Sequence, residues 1–306
     1  MRIGLLGLFT TDLTDVTRER AAIAAELGFH GVGAHIVVPA ESIAESTLTA
    51  ARTAIAAHGL EFLQLWGRYP CLISPDESVR RAGVAEVRAL IKVTAKLGVG
   101  AVGVRPTSLN PRGDWWPHPD HYRPETEDRF VRSLDEIVVA ARDAGVRVVL
   151  EGHQTSVLDS APTIRRVIER TDPAVVSVNV DPCNFVTDLR TAFDPGPMLH
   201  EMFDLLGPHA DTVQLKDYYL EDRLVVHVSE TVIGTGLMDF DTVLTRAYGN
   251  QPDGYVVIEH LPLNLVPMAM RNLTGKIRAL GIPLGTGPRV TESRPPGTSP
   301  AAEADR

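Results

Sequence analysis

Apolar, β-branched runs recur along this chain, and each is followed by a longer amphipathic segment. The runs fall at 2–8, 31–37, 61–66, 100–105, 146–151, 175–181, 211–216 and 255–260, and they predict eight buried strands. In 125–144, Phe130, Val131, Leu134, Ile137, Val138 and Ala141 recur at helical spacing with charges on the other side. Val84, Val87, Leu90 and Ile91 do the same within 76–97. Glycine stands where a helix gives way to a strand, in Leu27-Gly28-Phe29, His58-Gly59-Leu60, Leu97-Gly98-Val99 and Ala144-Gly145-Val146. It tolerates the left-handed backbone that ends a helix, so these joins read as tight turns. The connections that follow the strands are long and varied instead: 38–43, 67–76, 106–124, 182–193 and 217–238.

Eight strand–helix units with tight turns at one end and long loops at the other predict a (β/α)8 barrel, a TIM barrel, with its site on the long-loop face. An open doubly wound sheet is the competing arrangement. The count of eight disfavours it, and Gly4-Leu5-Leu6-Gly7 after the first strand is too apolar for a dinucleotide fingerprint. No linker interrupts residues 1–282, which read as one domain. Residues 283–306 are rich in Pro, Gly, Ser, Thr and charge, and predict a disordered C-terminal tail.

Composition narrows the partners rather than the fold. A hydrophobic fraction of 44% is ordinary for a globular protein with a sizeable core. A formal net charge of -9 without any basic run argues against nucleic acid. No apolar run is long enough to span a bilayer, and the N-terminus lacks the pattern of a signal peptide. Cys71 and Cys183 form neither a disulfide framework nor a zinc-type spacing, which suits a reducing cytoplasm. The expected partner is a small molecule, with a homo-oligomer or a small partner subunit left open.

The chemistry concentrates at the ends of the last four strands. Val148-Val149-Leu150 ends in Glu151, Val175 to Val180 in Asp181, Thr212-Val213 in Gln214, and Tyr255 to Ile258 in Glu259. If those strands are neighbours, three carboxylates converge, and carboxylates brought together without a cation repel at high desolvation cost. Three carboxylates and an amide oxygen are hard ligands that favour Mn²⁺ or Mg²⁺. For any one of these residues alone, a capping acid at a strand end would be the simpler reading.

The same segments resemble the sugar phosphate isomerase/epimerase superfamily, the xylose isomerase-like barrels that include ketose 3-epimerases, hydroxypyruvate isomerase and inosose dehydratase. The matching pieces are Leu150-Glu151, Asn179-Val180-Asp181-Pro182-Cys183-Asn184, Val213-Gln214-Leu215-Lys216-Asp217, Ile233 to Phe240 and Val257-Ile258-Glu259. The resemblance implies that Glu151, Asp181, Gln214 and Glu259 bind the metal, with Gln214 where histidine is common. Asn184 stands where many members carry histidine. The resemblance also implies that a ketose or keto-sugar loses a proton beside its carbonyl to give an enediolate, with Glu151 and Glu259 as the proton carriers. Lys216 would steady the developing oxyanion, with Asp217 and Asn184 as substrate contacts beside it.

Around this set lie further candidates. His153 and His260 follow two of the ligands closely, and either reads as a substrate contact or a second proton carrier. Trp115 and Trp116, in the loop after strand four, could form the apolar wall of a sugar pocket. Arg105 ends strand four facing the same side, with Trp66 and Arg68 in the matching place after strand three. Either arginine could contact a phosphate or carboxylate, although a rim ion pair is the simpler reading. A metal-dependent isomerase or epimerase leads. A lyase on the same scaffold, dehydrating a keto-cyclitol or cleaving a 3-keto glycoside, is the alternative, because it would share every ligand. A multi-metal nuclease would need more histidine ligands and a basic surface.

Overall fold

The computed structural model describes residues 1–289. Eight parallel strands form a closed barrel: β1 (Arg2–Phe9), β2 (Gly31–His35), β3 (Glu61–Trp66), β4 (Ala101–Val104), β5 (Arg147–Glu151), β6 (Val176–Val180), β7 (Ala210–Leu215) and β10 (Tyr255–Ile258). Around the barrel they run β1-β10-β7-β6-β5-β4-β3-β2. All eight lie where the apolar runs predict them. The two long helices span Glu77–Leu97 and Pro124–Ala144, and each ends on a left-handed glycine, Gly98 at φ 72° and Gly145 at φ 67°. Their apolar stripes, Val84, Val87, Leu90 and Ile91 on one and Phe130, Leu134 and Ile137 on the other, are buried in the layer between helices and strands.

The connection 217–238 was expected to be a loop, but it holds an antiparallel hairpin, β8 (Asp217–Leu220) and β9 (Val228–Thr231). Each strand is four residues long, too short for its alternation to stand out. It rises from the end of β7, so it borders the face where the predicted ligands emerge.

Register slips at three strand pairs, one of them β1 with β2 after Leu5, and two of these set which side chains enter the barrel below the site. Pairing between β2 and β3 shifts between Val32 and Ala34, and pairing between β6 and β7 shifts after Val178. An extra residue on one strand is a β-bulge, and it resets the inward phase of everything after it. On β3, Leu63 packs with Tyr255 and Val257, yet the next residue, Gln64, also reaches inward. Its Nε2 donates to Asn179 Oδ1 (2.8 Å) and Asp211 Oδ2 (2.6 Å), and its Oε1 accepts from Trp66 Nε1 (3.2 Å). Arg147 closes this polar layer with a 2.5 Å contact to Asp211. The layer supports the site above it.

Residues 283–289 correct the expected start of the tail. Gly285 N donates to Met1 O (2.8 Å), Arg2 Nε to Gly287 O (2.9 Å), and Arg289 pairs with Glu61 at 2.9 Å, so this stretch is tied to the beginning of the barrel. The rest of the predicted tail lies outside the described residues. No helix among the described residues is long and apolar enough to cross a membrane.

Candidate active site

β5, β6, β7 and β10 are consecutive around the barrel, and the four predicted ligands leave their C-terminal ends together. Ligand oxygens of Glu151, Asp181 and Glu259 lie within 4.8 Å of one another, and all three residues are buried. Gln214 is 1% exposed, and its Oε1 has no hydrogen-bond partner. Asp181 Oδ1 is buried and unpartnered as well. Orphaned buried oxygens of this kind call for a missing partner.

Lys216 enters the cluster from the end of β7. Its ammonium pairs with Asp181, sits 2.5 Å from Glu259 Oε1, and lies 3.4 Å from Asn184 Oδ1. Burial opposes its charge, but Asp181, Glu259 and Glu151 outweigh burial and keep it protonated. Burial first, then Glu259, pushes Glu151 up to about 7. Burial likewise lifts Asp181 to about 6, against the pull of Lys216. With all three carboxylates ionised and one ammonium present, the cluster is short by two positive charges. The donor set and the charge deficit both fit a hard divalent cation held by Glu151, Asp181, Gln214 and Glu259.

A cavity of about 350 Å³ opens over the cluster. His153 lines it. Its Nδ1 accepts from Thr155 N (3.1 Å), which leaves the ring proton on Nε2. Burial, then Lys216, pushes its pKa down to about 4, so it is a neutral donor near pH 7. Trp115 lies 5.5 Å from that ring, between centroids, and lines the cavity too. Asn184 lines it while donating to Gly152 O (3.1 Å) and bracing Lys216. Arg105 makes the expected ion pair, with Asp114 of the loop after β4 at 2.8 Å, yet it is only 5% exposed and also lines the cavity. His260 takes a left-handed backbone at φ 61° and reaches Glu230 of β9 at 3.3 Å, an interaction that raises its pKa. The hairpin thereby joins the rim.

Two expected substrate contacts are placed elsewhere. Asp217 is 1% exposed and spends both oxygens on backbone. Oδ1 accepts from Tyr218 N and Met238 N (2.9 and 3.0 Å), and Oδ2 from Gly234 N and Gly236 N (2.9 and 2.8 Å). It holds the turn after the hairpin. Trp116 turns to solvent under Arg112, whose guanidinium lies 3.7 Å from the ring centroid, and it does not line the cavity. Conversely, His35 at the end of β2 lines the cavity without having been singled out. The rule that found Glu151, a polar residue closing an apolar strand, would have found it.

The sequence profile of the xylose isomerase-like TIM barrel family matches residues 21–273. A search of curated proteins finds no match. Among solved structures, the fold is similar to that of an L-ribulose 3-epimerase, at a TM-score of 0.71 and 16% identity over 92% of this chain and 95% of that one. It is similar to 3-keto-D-glucoside 4-epimerase from E. coli, at 0.67 and 19% over 91% and 99% of the two chains. It is also similar to a xylose isomerase-like TIM barrel protein from Mycobacterium smegmatis in complex with magnesium, at 0.66 and 18% over 86% and 87%. At such identities the likeness establishes the fold, while the profile spans most of the barrel. The chain belongs to the xylose isomerase-like TIM barrel family.

Proposed function

We propose that this chain is a divalent-metal-dependent sugar isomerase or epimerase acting on a ketose or keto-sugar. The observation that carries the reading is the buried cluster of Glu151, Asp181 and Glu259, two positive charges short, at the floor of an open cavity. The epimerases among the similar structures support the substrate class. Mn²⁺ or Mg²⁺ suits the oxygen ligands.

When bound, the divalent ion supplies a Lewis acid beside the substrate carbonyl. Glu151 and Glu259 stand on strands separated by β6 and β7, so their carboxylates approach the cavity from two directions. One removes the proton next to the carbonyl and the other returns it on the opposite face, which inverts that carbon. A single carboxylate shuttling the proton between neighbouring carbons would isomerise the sugar instead. The protonated Lys216 donates toward the oxygen that gains charge as the enediolate forms. His153, neutral and protonated at Nε2, donates to a substrate hydroxyl. Trp115 covers the cavity from the loop after β4.

The test is exchange of substrate C–H in D₂O, followed by NMR across a panel of ketoses and 3-keto glycosides with Mn²⁺-loaded protein. Exchange should fall by about 100-fold or more in Glu151→Gln and in Glu259→Gln, the usual worth of a positioned proton carrier. Release of an aglycone or of a dehydrated sugar would assign the lyase reaction instead. No exchange on any substrate, with Glu151→Gln indistinguishable from wild type, would overturn the reading.

A further inference from the structure

The acid cluster uses half of the barrel, and the other half, β1 to β4, carries a different chemistry. We propose that Arg105, with His35 and Trp66 beside it, forms an anion subsite, and that the sugar this chain accepts carries a phosphate or carboxylate remote from its carbonyl. This rests on the sugar reading above and adds the class of sugar to it.

Arg105 follows β4, His35 ends β2 and Trp66 ends β3, and all three line the cavity. The backbone of Arg105 is clamped by Tyr69, whose hydroxyl accepts from Arg105 N (2.8 Å) and donates to Arg105 O (3.2 Å). The guanidinium is therefore aimed by a fixed backbone. Its Nε and Nη2 both donate to one oxygen, Asp114 Oδ2, at 3.3 and 2.8 Å. Nη1 makes no hydrogen bond among the described residues. The side chain is 5% exposed, and the unused part of its fork opens to the cavity, where a ligand oxygen can reach it. Carboxylate and phosphate oxygens match that fork geometry.

The surroundings favour an anion over a hydroxyl. Asp114, the direct counter-ion, has 40% of its side chain exposed and meets the guanidinium from the loop after β4, so its charge is screened by water. Glu151 is the cluster carboxylate that acts on Arg105 electrostatically, and it is committed to the cation side. The buried Nε2 of His35 has no partner and can complete the ligand's hydrogen bonds. Burial, then Arg105 and Arg68, pushes that imidazole down to about 4, so it acts as a neutral group.

The chain has three tryptophans, Trp66, Trp115 and Trp116, and two of them line this cavity, with the Trp115 ring 5.8 Å from the Arg105 guanidinium. Their fluorescence reads the wall directly. The experiment titrates the full-length protein, Mg²⁺-loaded and metal-stripped, with D-ribulose, D-ribulose 5-phosphate and D-fructuronate. An anionic sugar should bind about tenfold or more tightly than D-ribulose in both forms, the usual worth of a charge-assisted hydrogen bond. Whichever anion binds more tightly identifies the natural group. The preference should collapse in Arg105→Met and grow in Asp114→Asn, which removes the competing carboxylate from a half-exposed position. Equal binding of D-ribulose and its phosphate overturns the proposal. So does a preference seen only with Mg²⁺, or one that survives Arg105→Met. If that variant fails to fold, Asp114→Asn binding the phosphate no more tightly than wild type overturns it equally. Anion preference without C–H exchange on any ketose would leave the subsite and remove the isomerase reading. Exchange on neutral ketoses without anion preference would do the reverse.

Discussion

Glu151 is 8% exposed beside two other carboxylates, and its carboxyl is lifted from 4.5 to about 7, chiefly by burial and then by Glu259. A carboxyl whose folded pKa lies above its unfolded one holds its proton more tightly when folded. Its contribution to stability is intact below pH 4.5 and is lost as pH rises through 7. Glu151→Gln should therefore stabilise the metal-stripped protein at pH 8, by on the order of 3 kcal/mol, and leave it unchanged near pH 4. Urea titrations at the two pH values decide it, and an equal effect at both would show that Glu151 is not under electrostatic strain. Asp217 marks the limit of reading single residues from sequence. It too closes an apolar strand, and nothing in its type separates it from Glu151. The difference lies in the backbone that follows. The hairpin folds back and brings the N–H groups of Gly234, Gly236 and Met238 onto Asp217, whereas no backbone returns to Asp181 Oδ1 or Gln214 Oε1.

At the scale of the element, strand positions were legible because eight apolar runs repeat along the chain, four of them entered through a Gly join. The bulges were not, because one inserted residue barely alters the composition of a run and lengthens it by a single position, well within the ordinary spread of strand lengths. Yet the slip in β3 brings both Leu63 and Gln64 inside and turns Trp66 toward β4. There Gly103 makes the room: a Cβ at this position would lie 2.1 Å from the Trp66 indole. Glycine within a strand often marks such a close approach. Gly103→Ala should cost about 2 kcal/mol, the usual penalty for overpacking, and should shift the tryptophan emission as Trp66 is displaced. Unchanged stability and emission would mean that the indole does not fill the barrel centre. Trp116 was misplaced for a similar reason. Adjacent tryptophans in a loop point in different directions, and here Arg112 holds the second one outside.

For the molecule as a whole, the barrel gathers three buried carboxylates at one end, and on the proposed reading a divalent cation joins Lys216 in balancing them. The remote surface charges that make up the net -9 act weakly there, since salt screens them beyond about 8 Å at physiological ionic strength. Affinity must come from the buried carboxylates, and those have to shed protons before they can bind. Glu151 does so at about 7 and Asp181 at about 6. Apparent Mn²⁺ affinity should therefore rise by about 100-fold from pH 5.5 to 8, with little response to added salt. Folding is linked to the same equilibrium, because an ion that binds only the folded chain, at free concentration L, stabilises it by RT ln(1 + L/Kd), which grows as Kd falls. At constant Mn²⁺, the stability that the ion adds, measured as the difference in Tm between loaded and stripped protein, should therefore widen from pH 5.5 to 8. Calorimetric titration and paired melting curves check both trends. An affinity that stays flat across this range would mean that the cation, if one binds, is held somewhere other than among Glu151, Asp181 and Glu259.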